Sequence, residues 1–374
     1  MLLFLSLTLV LIIVITLFIR KNKSNNFDYK DVTKVDDIAS FISKYGGNHC
    51  SHLYLLNDKC FYWAQRKQVL FTYKKLGNTL IVLGDPVGNQ ALLYESIEEL
   101  LNYCKKSRLN IVFYQVSNHF LSIYQAFGFS ITKIGAEGRV CLSNFTLNGK
   151  RWAKLRTRRN KFERSGYQFK VVNNNEASIS ELKEISDSWL GNRSEKGFSV
   201  SYFCEKYISR FPLAIVIDPN GDIIAFATLA YNHQDDNRTI TIDLMRFKQD
   251  SPHGTMDFLF LSTINWCKEQ NYDWCSLGMS PLANLDDKDK KGWFEKVGAY
   301  LFNHVKHFYN FKGLYEYKNK FLPEWESRYI VCDHGRLLMT CLMLTIIIHK
   351  GPGKRRKFKE TVSPLFLRKY KKAS

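Results

Sequence analysis

No two cysteines in this 374-residue chain are spaced as C-x-x-C, and no histidine-rich partner accompanies the nine that occur. The usual zinc frameworks are thereby excluded, and no metal site is expected. The number is odd and the positions scattered, which excludes a disulfide scaffold and points to reduced, mostly buried thiols in a reducing cytoplasm. Repeats at the residue level are missing as well. So is any second apolar stretch long enough to cross a bilayer: Leu337 to Ile348 falls short. That run suits either a core helix or one lying on the bilayer surface.

What is present is the composition of a folded protein, 45% apolar and 14% aromatic, long enough for one large domain or two ordinary ones. The net charge is +19, and its placement matters more than its size. Residues 150–165 hold eight basic residues against Glu163, residues 350–374 hold ten against Glu360, and Arg20, Lys21 and Lys23 supply the rest. A chain that was basic only for solubility would spread its charge. Concentration in three segments points to polyanionic partners, a nucleic acid or an acidic membrane surface.

Leu2 to Ile19 are apolar apart from Ser6, Thr8 and Thr16. As a helix they reach about 27 Å, just enough for a hydrocarbon core. No charge precedes the run, no A-x-A-like site follows, and the basic flank Arg20-Lys21-Asn22-Lys23 is C-terminal. An uncleaved anchor with the bulk of the chain in the cytoplasm is therefore expected, rather than a signal peptide.

Strand-like runs fall at 52–56, 60–64, 69–73, 79–83 and 111–115, with a helical pattern at 91–107. After the basic segment come apolar runs at 213–217, 223–231 and 239–246 around the turn Pro219-Asn220-Gly221-Asp222. A helix at 255–270 and strands at 274–278 and 307–312 follow. The layout of strand, glycine turn and helix thus occurs twice, which supports two α/β units. At both turns, Gly84 to Gly88 and Ser251 to Gly254, backbone N–H groups at a helix start could meet a phosphate; a helix cap with a tight glycine is the alternative. The Q/R-x-x-G-x-G/A loop of a coenzyme A site is missing before the second helix, where Gly254 stands alone.

The segments LGDPVGN (83–89), KIGAEGRVCLSNFTLNGKR (133–151), ISDSWL (185–190), EKGFS (195–199), IIAFATL (223–229), DLMR (243–246), GTMDFLF (254–260), LGMSPL (277–282) and FYNFKGLYEYKNKFLPEW (308–325) occur in order. Together they resemble the C-terminal catalytic domain of the phosphatidylglycerol lysyltransferase, or multiple peptide resistance factor, family, over roughly residues 30–335. The resemblance implies an α/β (α+β) tandem GNAT-like fold, two acetyltransferase-like halves joined by a basic helix. With the apolar run and the charge distribution, it divides the chain into an anchor (1–23), a first half (24–149), a basic linker helix (150–166), a second, catalytic half (167–335) and an apolar segment with a polybasic tail (336–374). It implies transfer of an amino acid, lysine or alanine, from aminoacyl-tRNA to a hydroxyl of phosphatidylglycerol. The donor ester is already activated, so no cofactor is called for beyond aminoacyl-tRNA as co-substrate. The family's multi-helix flippase region is not in this sequence, which implies a separate flippase if the product is to be translocated. Two further departures bear on specificity: the frequent GEEA is Gly135-Ala136-Glu137-Gly138 here, and the arginine usual after NF-x-GL is Tyr315.

Asp243 and Arg246 end the strand-like run TITIDLMR, and the resemblance places them at the substrate. The carboxylate suits an aminoacyl ammonium and the guanidinium a phosphate; a structural ion pair is the plainer reading. Glu137, with Lys133 at near-helical spacing, either holds the aminoacyl group and orients the nucleophile or forms an exposed salt bridge. Glu195 and Lys196 carry the same ambiguity. Asp85 and Gly84 in the first turn, and Gly254 and Thr255 in the second, are candidate substrate contacts. His307, Tyr309, Asn310, Lys312, Lys318 and Lys320 interleave aromatics and cations, as stacking on an unpaired tRNA end requires, although a core strand with lysines outside has the same pattern. Lys150, Arg151, Lys154, Arg158 and Arg159 form a helical cationic face suited to tRNA, or simply a solvated helix. Rival functions keep the tRNA donor but change the acceptor to diacylglycerol or a peptidoglycan precursor, or retain only membrane-associated RNA or lipid binding.

Overall fold

Apolar residues recur along this chain with two different periods, and each period builds a different layer. The structure, a computed structural model, describes residues 33–173, 176–234, 237–285 and 311–351. The chain begins with α1 (Val35–Tyr45), the helical turn α2 (Ser51–Tyr54), strands β1 (Cys60–Ala64), β2 (Val69–Leu76), β3 (Thr79–Leu83) and the two-residue β4 (Val87–Gly88). Then come α3 (Leu93–Lys106), β5 (Asn110–Val116), α4 (Leu121–Ala126), β6 (Ser130–Cys141) and the basic α5 (Ala153–Arg164). The remainder holds β7 (Gln168–Val172), α6 (Ile179–Leu190), the turn α7 (Glu205–Ile208), β8 (Leu213–Ile217), β9 (Ile223–Gln234), β10 (Asn237–Phe247), α8 (Thr255–Glu269) and β11 (Trp274–Pro281). It ends with α9 (Phe311–Asn319), β12 (Glu324–Cys332) and α10 (Leu337–His349).

All the described strands join one twelve-stranded sheet in the order β1-β2-β3-β5-β12-β6-β11-β10-β9-β8-β7, with β4 beside β2. Two pairs are parallel, β3 with β5 and β10 with β11, and in each the intervening helix, α3 or α8, crosses over. In α3 the buried positions Leu93, Ile97, Leu100 and Cys104 form one stripe, as expected of a helix laid on a sheet. By contrast α8 is buried on nearly every side, and so is the five-residue β3. Three apolar clusters result, one of them beneath α5 and α8 and another shared by α1, α6, α7 and α10.

The centre of the sheet is unusual. β12, the last strand, is inserted between β5 and β6 and pairs antiparallel with both. β6 in turn pairs antiparallel with β11. Beside this seam β10 and β11 stay in register for only three residue pairs, ending at Thr241 and Ser276. Irregularities follow at once, between Ile242 and Met245 on β10 and between Ser276 and Met279 on β11. Such bulges re-aim side chains and end pairing, so the two strands part just where Asp243 and Gly278 stand. Gly135 on β6 allows the close approach there: its φ is +153°, and a Cβ would lie 2.4 Å from the Ser280 carbonyl.

Three expectations are corrected. Residues 52–56 do not form a strand; 51–54 are a helical turn. The strand expected over 307–312 is not found at its described end, where Phe311 opens a helix, and His307, Tyr309 and Asn310 lie outside the described residues. Lys133 and Glu137 are not at helical spacing but on one strand, on the order of 13 Å apart along it, so they form no direct salt bridge. The run at 337–348 is a helix whose stripe Thr340, Met343, Leu344 and Ile347 is buried. The apolar segment 2–19 lies outside the described residues, and among those described no helix is long and apolar enough to cross a membrane.

Candidate active site

Glu137 lies on β6 at the seam, 3% exposed, with a hydroxyl reaching it from β11 and a guanidinium from β12. Arg328 of β12, itself 2% exposed, donates to its Oε2 through both Nε, at 3.1 Å, and Nη2. Ser276 donates to Oε1, and Arg328 also reaches Glu326 at 3.0 Å. Burial alone would raise the Glu137 carboxyl, but Arg328, His49 and Ser276 outweigh it and bring the pKa to about 2. An ion pair so placed is costly to break from one side, because the surviving charge stays out of water.

Lys318 completes this end. It projects from α9 into the seam, 5% exposed, and its Nζ donates to the carbonyls of Gly278 and Met279 at 3.0 Å each. Burial lowers its pKa to about 7, with Glu137 pulling the other way. Near neutrality much of this amine is therefore uncharged. Two N–H groups are directed to carbonyls, and its lone pair is left to accept a proton.

The second cluster stands on β10. Tyr207 donates to Asp243 Oδ2 at 2.5 Å, and His52 Nε2 lies 3.5 Å from Oδ1. Burial pushes the Asp243 carboxyl up, but His52, Tyr207 and Ser201 hold it below the ordinary value, so it is an anion at neutral pH. His49, buried between the clusters, is driven to about 3 by burial and by Arg328, and its neutral ring feels both Glu137 and His52. From Lys318 through Glu137, Arg328, His49 and His52 to Asp243 these groups thus form a polar run in which each acts electrostatically on the next.

Arg246 does not pair with Asp243. Its Nη2 donates to Glu195 at 3.0 Å and its Nη1 to the Met245 carbonyl at 3.0 Å, while its Nε is buried without a partner among the described residues. The guanidinium lies 4.1 Å from the Trp189 ring centroid, and Arg193 covers the same indole at 4.2 Å. The plain reading of Asp243 and Arg246 as one structural ion pair is thereby overturned. Each has its own partners, and Arg246 keeps a donor in hand.

The structure places Glu137 and Lys318 in one cluster and Asp243 in a second, with Arg246 further along β10, and keeps other candidates apart. Lys133 is further along β6, opposite Tyr329. Lys312 is on the exposed side of α9, 4.0 Å from Glu316, and does not reach the seam. The first glycine turn is not an open anion cradle. Gly84 N donates to the Tyr114 carbonyl at 2.8 Å, Asn48 donates to the Asp85 carbonyl, and both Asp85 carboxylate oxygens accept from Ser117 N at 3.1 and 3.2 Å. Val87–Gly88 pairs with β2, and the helical turn Gln90–Leu92 that follows and leads into α3 is capped by Asn89, whose side chain accepts from Ala91 N at 3.1 Å. The second turn does cap α8, with Gly254 at φ +106°, but its open side is filled: a Cβ there would lie 2.5 Å from Arg158 Cδ. Arg158 pairs with Asp257, Lys320 reaches the same carboxylate at 3.3 Å, and Thr255 Oγ1 donates to the Pro252 carbonyl at 2.7 Å. Of the five cationic candidates on and before α5, Arg158 is therefore turned inward and Arg159 pairs with Glu163 at 3.3 Å. Lys150, Arg151 and Lys154 are exposed, with no ion pair among the described residues.

Sequence reasoning missed His49, His52, Tyr207, Ser276 and Arg328. The signal for Arg328 was legible: Glu324, Glu326 and Arg328 alternate in a run that ends in apolar residues, which is a strand with one charged face. Two recesses, of about 530 Å³ against α1 and about 450 Å³ against α3, lie away from these residues. The site is closed over, with Asp243 11% exposed at its side chain.

This geometry has relatives. The model of the family described as "Phosphatidylglycerol lysyltransferase, C-terminal" matches residues 39–332. A phosphatidylglycerol lysyltransferase of Bacillus subtilis (strain 168) is 38% identical over 317 residues, 84% of this chain but 37% of that protein. This chain thus spans under two fifths of that relative's length. The solved structure of L-PGS from Bacillus licheniformis superposes with a TM-score of 0.74 at 35% identity, covering 83% of this chain and 94% of that one. FemX shares the mixed α/β fold at a TM-score of 0.51 and 10% identity, over 83% of this chain and 98% of that one, a likeness of fold alone. With the seam, its buried acid–base groups and the match across nearly three hundred residues in view, the chain belongs to the family described as phosphatidylglycerol lysyltransferase, C-terminal.

Proposed function

We propose that this chain is a membrane-bound aminoacyltransferase that moves lysine or alanine from aminoacyl-tRNA to the glycerol hydroxyl of phosphatidylglycerol. Family membership supplies the reaction class. The observation that carries the chemistry is Lys318, an amine 5% exposed and fixed by two carbonyls close to the point where β10 and β11 part, where burial lowers its pKa to about 7. The uncharged amine takes the proton of the glycerol hydroxyl as its oxygen attacks the ester carbonyl. The new ester C–O bond forms, the bond to the tRNA terminal ribose breaks, and the proton passes to the ribose oxygen. One ester replaces another, so the step needs neither oxidant nor nucleotide.

In this reading Asp243 receives the aminoacyl ammonium, and the unpartnered Nε of Arg246 meets a phosphate or ester oxygen. The sheet is read as two GNAT-like halves that exchange strands, β12 completing the first by lying between β5 and β6. Exposed Lys150, Arg151 and Lys154 meet tRNA. Arg158 over Gly254 supports a donor other than coenzyme A, whose diphosphate would have to displace that side chain. Residues 1–23 anchor the chain in the cytoplasmic membrane, and the envelope becomes less negative toward cationic peptides. The test is expression in a host without aminoacylated lipids, with mass spectrometry of the lipid extract. A new aminoacyl-phosphatidylglycerol that disappears with Lys318→Met and with Asp243→Ala supports the reading; an unchanged lipid profile from folded, membrane-bound protein overturns it.

A further inference from the structure

The C-terminal helix α10 is apolar on both sides. Its buried stripe, Thr340, Met343, Leu344 and Ile347, follows the spacing of a core-facing helix. The opposite stripe should then be charged, yet no charged residue occurs from Leu337 to Ile348. Leu338 is 61% exposed and Met339 40% exposed, and Leu342 and Ile346 continue that stripe half-buried. With thirteen residues the helix is about 20 Å long, too short to span a bilayer.

Cations flank this helix along the chain: Arg336 precedes it, Lys350 follows it, and residues 351–374 carry nine further Lys and Arg against the single acid Glu360. The helix end is joined to the 195–203 loop, since Gly197 N donates to the Ile348 carbonyl at 2.9 Å. That loop follows exposed Arg193 on the Trp189 indole and carries exposed Val200. An apolar helix face with a tryptophan and cations at its border has the composition of a segment that lies in a bilayer interface. The net positive rim selects anionic headgroups.

We infer that the outward face of α10 docks on an anionic bilayer, with Leu338, Met339, Leu342 and Ile346 in the acyl boundary and Arg193 at the headgroups. The orientation has a consequence for the proposed reaction: Glu195, the partner of Arg246, lies in the loop tied to the end of α10. Docking would thus set the β10 cluster beside the headgroup layer.

The test uses the full chain bound to vesicles of phosphatidylcholine and phosphatidylglycerol, with Met339→dansylalanine as the probe and Tyr103→dansylalanine, on α3, as the exposed control. Nitroxide-labelled lipid should quench position 339 severalfold more than position 103. Equal quenching at both, on protein shown to be vesicle-bound, overturns the inference. So does a probe at 339 that is already blue-shifted without vesicles and insensitive to nitroxide lipid, the result if the apolar segment 2–19 covers the helix instead. A second readout rests on the proposed function. Leu338→Glu combined with Met339→Glu should lower aminoacylation of vesicle phosphatidylglycerol about tenfold, while a short-chain, soluble phosphatidylglycerol is used within about twofold of the parent rate. Equal loss on both lipids would count against docking. Should the parent protein aminoacylate no lipid at all, the enzymatic reading fails and the quenching comparison still decides the surface.

Discussion

Two carboxylates sit at the heart of this molecule, and they are held in different ways. Glu137 is gripped by a buried arginine and a hydroxyl, and burial leaves it no route to water. Asp243 is held by a tyrosine and a histidine at a more accessible edge of the same polar run. The first arrangement is a fixed charge pair that orders the seam between β6, β11 and β12. The second keeps an anion whose near partners are not permanent cations, which suits exchange with an incoming ammonium. On the proposed function, the difference separates a residue that builds the site from one that receives a ligand.

Arg328→Met should give the largest effect. It leaves Glu137 buried and unpaired, at a cost of about 3–5 kcal/mol in unfolding free energy. Chemical denaturation should show that loss, and adding Glu137→Gln should recover much of it. If Arg328→Met alone were neutral, Glu137 would not be the fixed partner described here.

Next is Lys318→Met, which should fold and yet lose on the order of 10²–10⁴-fold in transfer rate. In the parent enzyme kcat should rise as pH passes through about 7, since only the uncharged amine accepts a proton. A flat profile across that range would remove Lys318 as the base. The sign for stability follows from the same shift. Between about 7 and its ordinary value of 10.5 the unfolded chain binds the proton that the folded chain has lost, so this lysine's contribution to stability grows with pH over that interval.

Asp243→Asn sharpens the contrast between the carboxylates. The amide keeps the size and much of the hydrogen bonding, so unfolding free energy should move by no more than about 1 kcal/mol. The charge for the ammonium is gone, and kcat/KM should fall about 10- to 100-fold. Equal damage to stability from Asp243→Asn and Glu137→Gln would erase the distinction between the two sites.

How much of this was legible in advance follows from range. Period and turn chemistry are local, so β1, β2, β3, β5, α3, β8 to β11 and α8 stand close to where the apolar pattern puts them. β6 and β12 are long strands broken by glycine or crowded with charge, and their pattern reads clearly only once they face each other across the seam. Of the site, Asp243 was visible as a charge ending an apolar run, Glu137 through the family resemblance, and Lys318 among interleaved aromatics and lysines. His52 was hidden in a helical turn that resembles a strand by composition. Arg158 was misplaced for the opposite reason: its neighbours in sequence are cations, but its partner, Asp257, is ninety-nine residues away.

That displacement yields the smallest predicted effect and the cleanest internal control. Reversing Lys150, Arg151 and Lys154 to glutamate removes exposed cations without breaking any described ion pair, and should raise KM for aminoacyl-tRNA severalfold while flattening its dependence on salt. Arg158→Ala removes a cation of the same helix whose head is paired with Asp257 and whose stem packs over Gly254. It should leave the salt dependence unchanged and lower the unfolding free energy slightly, by about 1 kcal/mol or less, since Lys320 remains beside the carboxylate. Salt-dependent tRNA kinetics on both variants decide whether the basic helix has one function or two. Equal flattening in both would return Arg158 to the nucleic-acid face, and no flattening in either would take tRNA off this helix altogether.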